Sequence, residues 1–227
     1  MLPAFMDRLK NELKVPQRNT DARKAYAAQL TYGRWRGPAP TTAREAAVMV
    51  LLYRDPLPAT TTGDAPLDRW QFPLTLRVES LPRHGGQISL PGGELQQGET
   101  DWQAALRESK EELGICPADV VRLGALSPSY VFASNYRVTP FVAFTPSKPL
   151  WQPQESEVAE VFEMSLRHLI DPKNVQVPLQ QRYGISFHTP CFLLKNRRIW
   201  GATSLILGEL LAAIRVASAD STFDTKI

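Results

Sequence analysis

The chain predicts an α/β (α+β) fold, a mixed β-sheet with helices on both faces. Three observations predict it. Apolar runs of strand length, led by residues 46–53, alternate along the chain with segments of helical period. Turn residues such as Ser134-Asn135 and Lys195-Asn196-Arg197 join neighbouring strands into hairpins, so the sheet cannot be purely parallel. Residues 101–113 carry a start and a stop signal for one helix. Thr100 with Gln103 fits a capping box, and Gly114 fits the left-handed position just past the helix end.

Composition sets the class. The 227 residues are 43% hydrophobic and 22% charged, as in a soluble globular protein with a real core. A net charge of +3 is too mild to argue for nucleic acid, so any preference for anions must come from local arginines. Cys116 and Cys191 lie in no metal-type spacing and are expected as buried free thiols in a reducing compartment. The longest apolar run, 46–53, is too short to span a bilayer, so no membrane partner is expected. The first residues lack a basic start followed by an apolar stretch, and the last three depart from S-K-L at two positions. The expected location is cytoplasmic.

In chain order, residues 1–44 read as a helical extension. Leu2, Phe5, Met6, Leu9 and Leu13 follow a helical period that Pro16 stops, a second helix is expected over 21–30, and 37–40 is a linker. These helices should pack on the sheet or on a second subunit, and could build a homodimer contact. The main domain is expected over 45–216. Its strands are 46–53, 74–77, 121–131, 138–144, 159–164 and 185–194, the last forming a hairpin with 198–200. Residues 55–68 and 146–153 read as loops, rich in turn-forming residues. Ser165 can cap a short helix to Ile170, and Leu205, Ile206, Leu210, Leu211 and Ile214 line a last helix. Residues 217–227 are expected to fray.

The helix over 101–113 is the centre of the chain. At 100° per residue, Trp102, Ala105, Leu106, Ser109 and Leu113 share one arc. Glu108, Glu111 and Glu112 gather on the opposite one, with Arg107 at its edge. At about 6 Å and an effective dielectric near 20, each close carboxylate pair repels by roughly 3 kcal/mol before screening. A divalent cation reverses that sign, and hard oxygen ligands suit Mg²⁺ or Mn²⁺. A solvated acidic face is the other reading of the same pattern. Just before the helix, Pro91, Gly92, Gly93 and Gly98 mark loop backbone.

The spacing Gly93, five residues, Glu99, seven residues, then Arg107-Glu108-Ser109-Lys110-Glu111-Glu112-Leu113-Gly114-Ile115 resembles the Nudix box, G-x5-E-x7-R-E-U-x-E-E-x-G-U. Ser109 departs from the aliphatic residue usual there. It lies within the apolar arc, where a small side chain would let the helix sit closer to the sheet. The resemblance implies an αβα sandwich and metal-dependent cleavage of a diphosphate. Glu108 and Glu112 are then the first candidate metal ligands, with Glu111 beside them and the carbonyl of Gly92 or Gly93 as a further one. Arg107 is expected to pair with Glu99 and hold the helix to the loop. Glu111 and Glu157 are the two candidate general bases.

A second stretch bears on the substrate. Leu74-Thr75-Leu76-Arg77, Leu81, His84, Gly86, Gln87, Ile88, Ser89 and Pro91-Gly92-Gly93 resemble the motif that precedes the box in coenzyme A pyrophosphatases, L-L-T-x-R-S-x-x-L-R-x-H-x-G-Q-[IV]-[SA]-F-P-G-G. Pro73, Val78, Pro82 and Leu90 depart from it, and Pro82 removes an arginine. Residues 136–142 and 199–203 also resemble that family. The implied reaction converts coenzyme A to 4′-phosphopantetheine and adenosine 3′,5′-bisphosphate. Arg77, Arg83, His84 and Gln87 are then candidate substrate contacts, since guanidinium forks suit phosphate oxygens. Two other readings stay open: hydrolysis of another diphosphate such as ADP-ribose, a dinucleotide or a nucleoside triphosphate, and a Nudix-fold binding module without catalysis.

Overall fold

The computed structural model describes residues 2–14, 20–28, 39–54, 66–182 and 184–218. Its elements in order are α1 (Ala4–Glu12), α2 (Thr20–Lys24), β1 (Arg44–Arg54), β2 (Trp70–Arg77), β3 (Ile88–Ser89), β4 (Gly92–Glu94), α3 (Asp101–Leu113), β5 (Val121–Ala125), β6 (Ser129–Val131) and β7 (Tyr136–Phe144). Then come β8 (Val158–Ser165), α4 (Leu166–Ile170), β9 (Val175–Gln176), β10 (Leu179–Arg182), β11 (Ile185–His188), β12 (Cys191–Leu194), β13 (Arg197–Ile199) and α5 (Ala202–Ala217).

Strands β1 to β8 form one mixed sheet. β1 is its spine. It runs parallel to β7 along nine residue pairs, Arg44↔Tyr136 to Leu52↔Phe144. Its other edge is divided. The first half pairs with β4, Ala46↔Glu94 to Val48↔Gly92, and only the last two residues pair with β2. β2 therefore diverges from β1, and β4 with the loop around it fills the gap. β8 lies along the far side of β2.

Alternation along β1 builds two cores. Ala46, Val50 and Leu52 face the larger cluster with Trp70, Phe72, Leu74, Phe162 and the apolar side of α5. Ala47, Met49 and Leu51 face α3 through Ala104, Ala105 and Leu113. Helices thus cover both faces, as the sequence predicts. The expected α1 also forms, and Phe5, Met6 and Leu9 are buried in the larger core. Within the described residues α1 and α2 pack against α5 of the same chain.

Several local expectations are corrected. Residues 92–94 form a short strand rather than loop, because their backbone pairs with β1. The run 121–131 divides into β5 and β6, and 185–194 into β11 and β12 around Thr189-Pro190. β10 was not predicted; Leu179–Arg182 pairs with β11. The second helix is shorter than expected, and most of the predicted 55–68 loop and the 219–227 tail lie outside the described residues. Cys191 is buried, but Cys116 is exposed.

Helix α3 matches its expected ends. Thr100 accepts from the Gln103 backbone N–H at 3.3 Å, and the Gln103 side chain accepts from the Thr100 backbone N–H at 2.9 Å. Gly114 closes the helix at φ +72°, where other residues are strained, and a Cβ there would meet Gln152 Cβ at 2.8 Å. Ser109 is fully buried on the sheet side. It donates to the Ala105 carbonyl at 2.7 Å and sits 3.8 Å from Met49 Sδ on β1. A small residue there permits the close approach of α3 to β1. Ser109→Leu, which restores the usual aliphatic residue, should overpack this contact and cost about 1–3 kcal/mol in urea unfolding, whereas Ser109→Ala should stay within about 1 kcal/mol. Equal stability of the leucine variant and the parent would show that the space is not limiting.

Candidate active site

The site forms where α3 passes over β4. Gly93 leaves room for an acid: a Cβ on it would lie 2.5 Å from Glu108 Cδ. Gly92 has φ +147°, and a Cβ there would meet the Ala47 carbonyl oxygen at 2.2 Å. Both positions need glycine for close approach. The Gly92 N–H donates to Glu112 Oε2 at 3.3 Å. One backbone turn is thus in contact with two helix carboxylates.

Arg107 organises the rest. Its Nε and one terminal nitrogen grip Glu99 at 2.7 and 3.0 Å. The second terminal nitrogen bridges Glu108 at 2.7 Å and Glu111 at 2.9 Å, and the first also reaches the Glu94 carbonyl at 2.9 Å. The hydrogen bond to Glu99 is the main cause that holds Arg107 far above its ordinary range, and the same bond holds Glu99 below its own. The predicted Arg107–Glu99 pair is therefore present, with Glu108 and Glu111 added to it.

Burial acts the other way on the helix acids. It raises the Glu108 carboxyl and outweighs the bond from Arg107. Glu112 is 3% exposed, although the helical arc alone places it on the acidic face. The Gly92 N–H meets its carboxylate, and the Gln152 and Gln154 N–H groups bond the Leu113 and Glu112 carbonyls at the end of α3. Burial pushes the Glu112 carboxyl up to about 8, against the pull of Arg77, whose guanidinium lies 3.6 Å from Glu112 Oε1. Glu157 is exposed at the mouth, and its negative charge also raises both Glu108 and Glu112. Its backbone carbonyl accepts from the Val78 N–H at 3.0 Å, which fixes Glu157 beside the end of β2 and Arg77.

The candidate substrate contacts lie along the adjoining rim. Arg77 ends β2 and closes a turn, with its N–H on the Gln87 carbonyl and its carbonyl on the Gly86 N–H, each at 3.0 Å. His84, at φ +57°, bonds Gln87 side chain to side chain at 3.1 Å, so these two shape the loop. Arg83 is exposed and donates to the Ser134 carbonyl at 3.4 Å. Three further residues were not singled out as site candidates from the sequence: Arg44, Glu94 and Tyr136, the last only as part of the 136–142 resemblance. The Tyr136 hydroxyl donates to Glu94 Oε2 at 2.7 Å, Arg44 donates to the same oxygen at 3.0 Å, and the Arg44 guanidinium stacks 4.1 Å above the Tyr136 ring. Their signal was weak, since Glu94 follows the first box glycine and its partners lie 42 and 50 residues away.

The donors fit a hard divalent cation. Glu108, Glu111 and Glu112 offer carboxylate oxygens, and Gly93 has no side chain to block the approach. Among the described residues no three His, Cys, Asp or Glu side chains form a ready-made cage, partly because Arg107 bridges Glu108 and Glu111. This suits an ion that takes one or two protein carboxylates and fills its shell with water and substrate oxygens, as Mg²⁺ does. A cavity of about 550 Å³, lined by Gln71, Trp151, Glu163, His168 and Lys195 among others, lies at the other end of the β2–β8 ladder. Its lining runs along the ladder as far as Val161, which pairs with Thr75, and contains none of the box residues.

A raised Glu112 has a measurable consequence. The folded protein keeps a proton that the unfolded chain releases near pH 4.5, so the folded state binds more protons between pH 4.5 and about 8. Metal-free stability should therefore fall as pH rises through that window, by at most about 1.4 kcal/mol per unit from this group. Glu112→Gln should flatten the decline in thermal unfolding followed from pH 5 to 8. An unchanged slope in the variant would assign the proton elsewhere.

With the geometry described, comparison with known proteins places the chain. The NUDIX domain family model matches residues 43–182. The chain is 32% identical over 174 residues to uncharacterized Nudix hydrolases NudL of Salmonella paratyphi B and Salmonella newport, covering 76% of this chain and 84% of each relative. Among solved structures it is similar to a C. elegans Ap4A hydrolase binary complex (22% identity, 54% of this chain and 80% of that one, TM-score 0.41). It is also similar to a MutT/nudix family protein from Enterococcus faecalis (16% identity, 84% and 71%, TM-score 0.45). No helix among the described residues is long and apolar enough to cross a membrane. The chain belongs to the Nudix hydrolase family, enzymes that act on nucleoside diphosphate derivatives with divalent metal ions.

Proposed function

We propose that this Nudix hydrolase cleaves the diphosphate of coenzyme A, giving 4′-phosphopantetheine and adenosine 3′,5′-bisphosphate. The observation that carries the reading is the contact of Arg77 with Glu112. A residue of the coenzyme A-type motif on β2 lies 3.6 Å from an acid of the box on α3. That contact supports reading the two stretches as one site.

Glu108 and Glu112 would hold the divalent ion, Mg²⁺ or Mn²⁺, with Glu111 and the Gly93 backbone at its side. When bound, such an ion neutralises diphosphate charge and acidifies a water. The chain's own groups supply the rest. Arg77 offers its guanidinium to a phosphoryl oxygen beside the acids. Arg83 stands where the missing arginine of Pro82 would be adjacent, and no carboxylate lies within ion-pair distance of it among the described residues. Arg107 keeps α3 in register with β4 while the acids change partners.

For the proton acceptor we favour Glu157 over Glu111. Glu111 accepts a hydrogen bond from Arg107 at 2.9 Å, so one of its oxygens already has a partner within the helix. Glu157 is exposed, anchored by its backbone to Val78, and close enough for its charge to act on both Glu108 and Glu112. Hydrolysis of ADP-ribose or a dinucleotide is the second reading, favoured by Pro82.

Glu112→Gln should reduce Mg²⁺-dependent turnover at least about 10³-fold with an unchanged circular dichroism spectrum. A panel of coenzyme A, its dephospho form, ADP-ribose, NADH and triphosphates should show the highest kcat/KM for coenzyme A. A higher value for ADP-ribose would replace the substrate assignment, and full activity of the variant would remove the ligand assignment. Glu157→Gln should lower kcat about 10²- to 10⁴-fold while leaving Mn²⁺ affinity intact, and Glu111→Gln should lower it far less. The reverse ranking would make Glu111 the base.

A further inference from the structure

The geometry points to a nucleobase platform on the rim of the site: we infer that Phe132 stacks against the base of a nucleoside diphosphate whose phosphates lie at the box acids. This rests on the diphosphate reading above and deepens it. Phe132 is 57% exposed, so its ring is open to a ligand.

Its turn is held from several sides. Between β6 and β7, the Ser134 N–H donates to the Val131 carbonyl at 3.2 Å. Asn135, at φ +56°, donates from its amide to the Thr42 carbonyl at 3.0 Å and accepts from Tyr130 Oη at 2.9 Å. The Asn135 carbonyl also accepts from the Arg44 N–H at 2.9 Å. The backbone is pinned, yet the ring it carries faces solvent. A ring held this way loses little freedom when it meets a flat ligand.

The surroundings select the ligand. Arg83 reaches the same turn through the Ser134 carbonyl, and its charge acts on Tyr136, the first residue of β7. From Tyr136 a chain of contacts leads through Glu94 to Arg107 and the box acids. The turn is thus tied to the metal-binding end by hydrogen bonds, and a guanidinium is bonded to it. A base with a π-face, attached to an anionic ribose phosphate, satisfies both the aromatic ring and the cation. The thiol-bearing arm of coenzyme A has no such face.

The test is equilibrium binding by calorimetry with Mg²⁺, using ADP and the base-free methylenediphosphonate as probes. The wild type should bind ADP more tightly. Phe132→Ala should weaken ADP about 10- to 100-fold and leave methylenediphosphonate unchanged, and Phe132→Trp should restore ADP binding. Equal wild-type affinity for the two probes, an unaffected ADP affinity in the alanine variant, or equal losses for both probes would overturn the inference. Turnover is not needed for this readout. If the wild type prefers ADP-ribose on the substrate panel while Phe132→Ala still loses ADP selectively, the coenzyme A reading fails and the platform stands.

Discussion

Five N–H donors on Arg107 hold the working part of this molecule together. They end on Glu99 twice, on Glu108, on Glu111 and on the Glu94 carbonyl. A guanidinium has five such donors, so none is left over. The three acceptor segments are the end of β4, the loop before α3, and α3 itself. Without the arginine, acids at positions 99, 108 and 111 would face one another with no counter-charge, and the loop would lose its tie to the helix. A lysine could neutralise the charge but could not span three segments with fixed directions.

That tie works only because β1 fixes both parties. β4 pairs with the first half of β1, and α3 packs on the same strand through Met49, Ala47 and Leu51. The loop and the helix are thus referred to one strand, buried on both faces and continuous with β7. Ser109 and Gly93 act in the same sense, each by being small where helix and strand meet. The cost appears at Glu112. Burying a carboxyl beside Glu108 opposes ionisation, and Arg77 offsets only part of it. A site that must receive a cation gains from acids that are poorly satisfied beforehand, and the surrounding sheet supplies the stability this requires.

The chemistry was more legible than the recognition. α3 could be bounded to the residue because its signals are local: a capping box at Thr100 and a left-handed glycine at 114. The box acids and Arg107 lie within one helix, so their spacing fixes their relation. Glu112 shows where this ends. The helical arc gives its direction, but its contacts with the Gly92 N–H and the Arg77 guanidinium come from segments that no helical period contains. Arg44, Glu94 and Tyr136 were illegible for the same reason, being joined by strand pairing across distant parts of the chain. The division of 121–131 into β5 and β6 follows from strand pairing with β7: the bend between them lets each meet a different stretch of that strand.

This division has a physical basis in where each task is placed. Charge clustering for phosphorus chemistry sits on a helix and a strand pair, whose geometry is set by short-range rules. Apart from Arg77, the substrate contacts proposed above lie instead on the 78–87 loop and the 132–135 turn, which meet at the Arg83–Ser134 contact. Both contain a non-glycine residue in left-handed backbone, His84 and Asn135, each with its side chain hydrogen-bonded nearby. Pro82 belongs to the first of these loops. Its ring removes a cation from one position but also restricts the backbone just before Arg83. Under the proposed function the exchange need not weaken phosphate binding, because one guanidinium held at the turn can replace a second that is free to wander. Both loops can therefore vary while Arg107, Glu108 and Glu112 stay as they are.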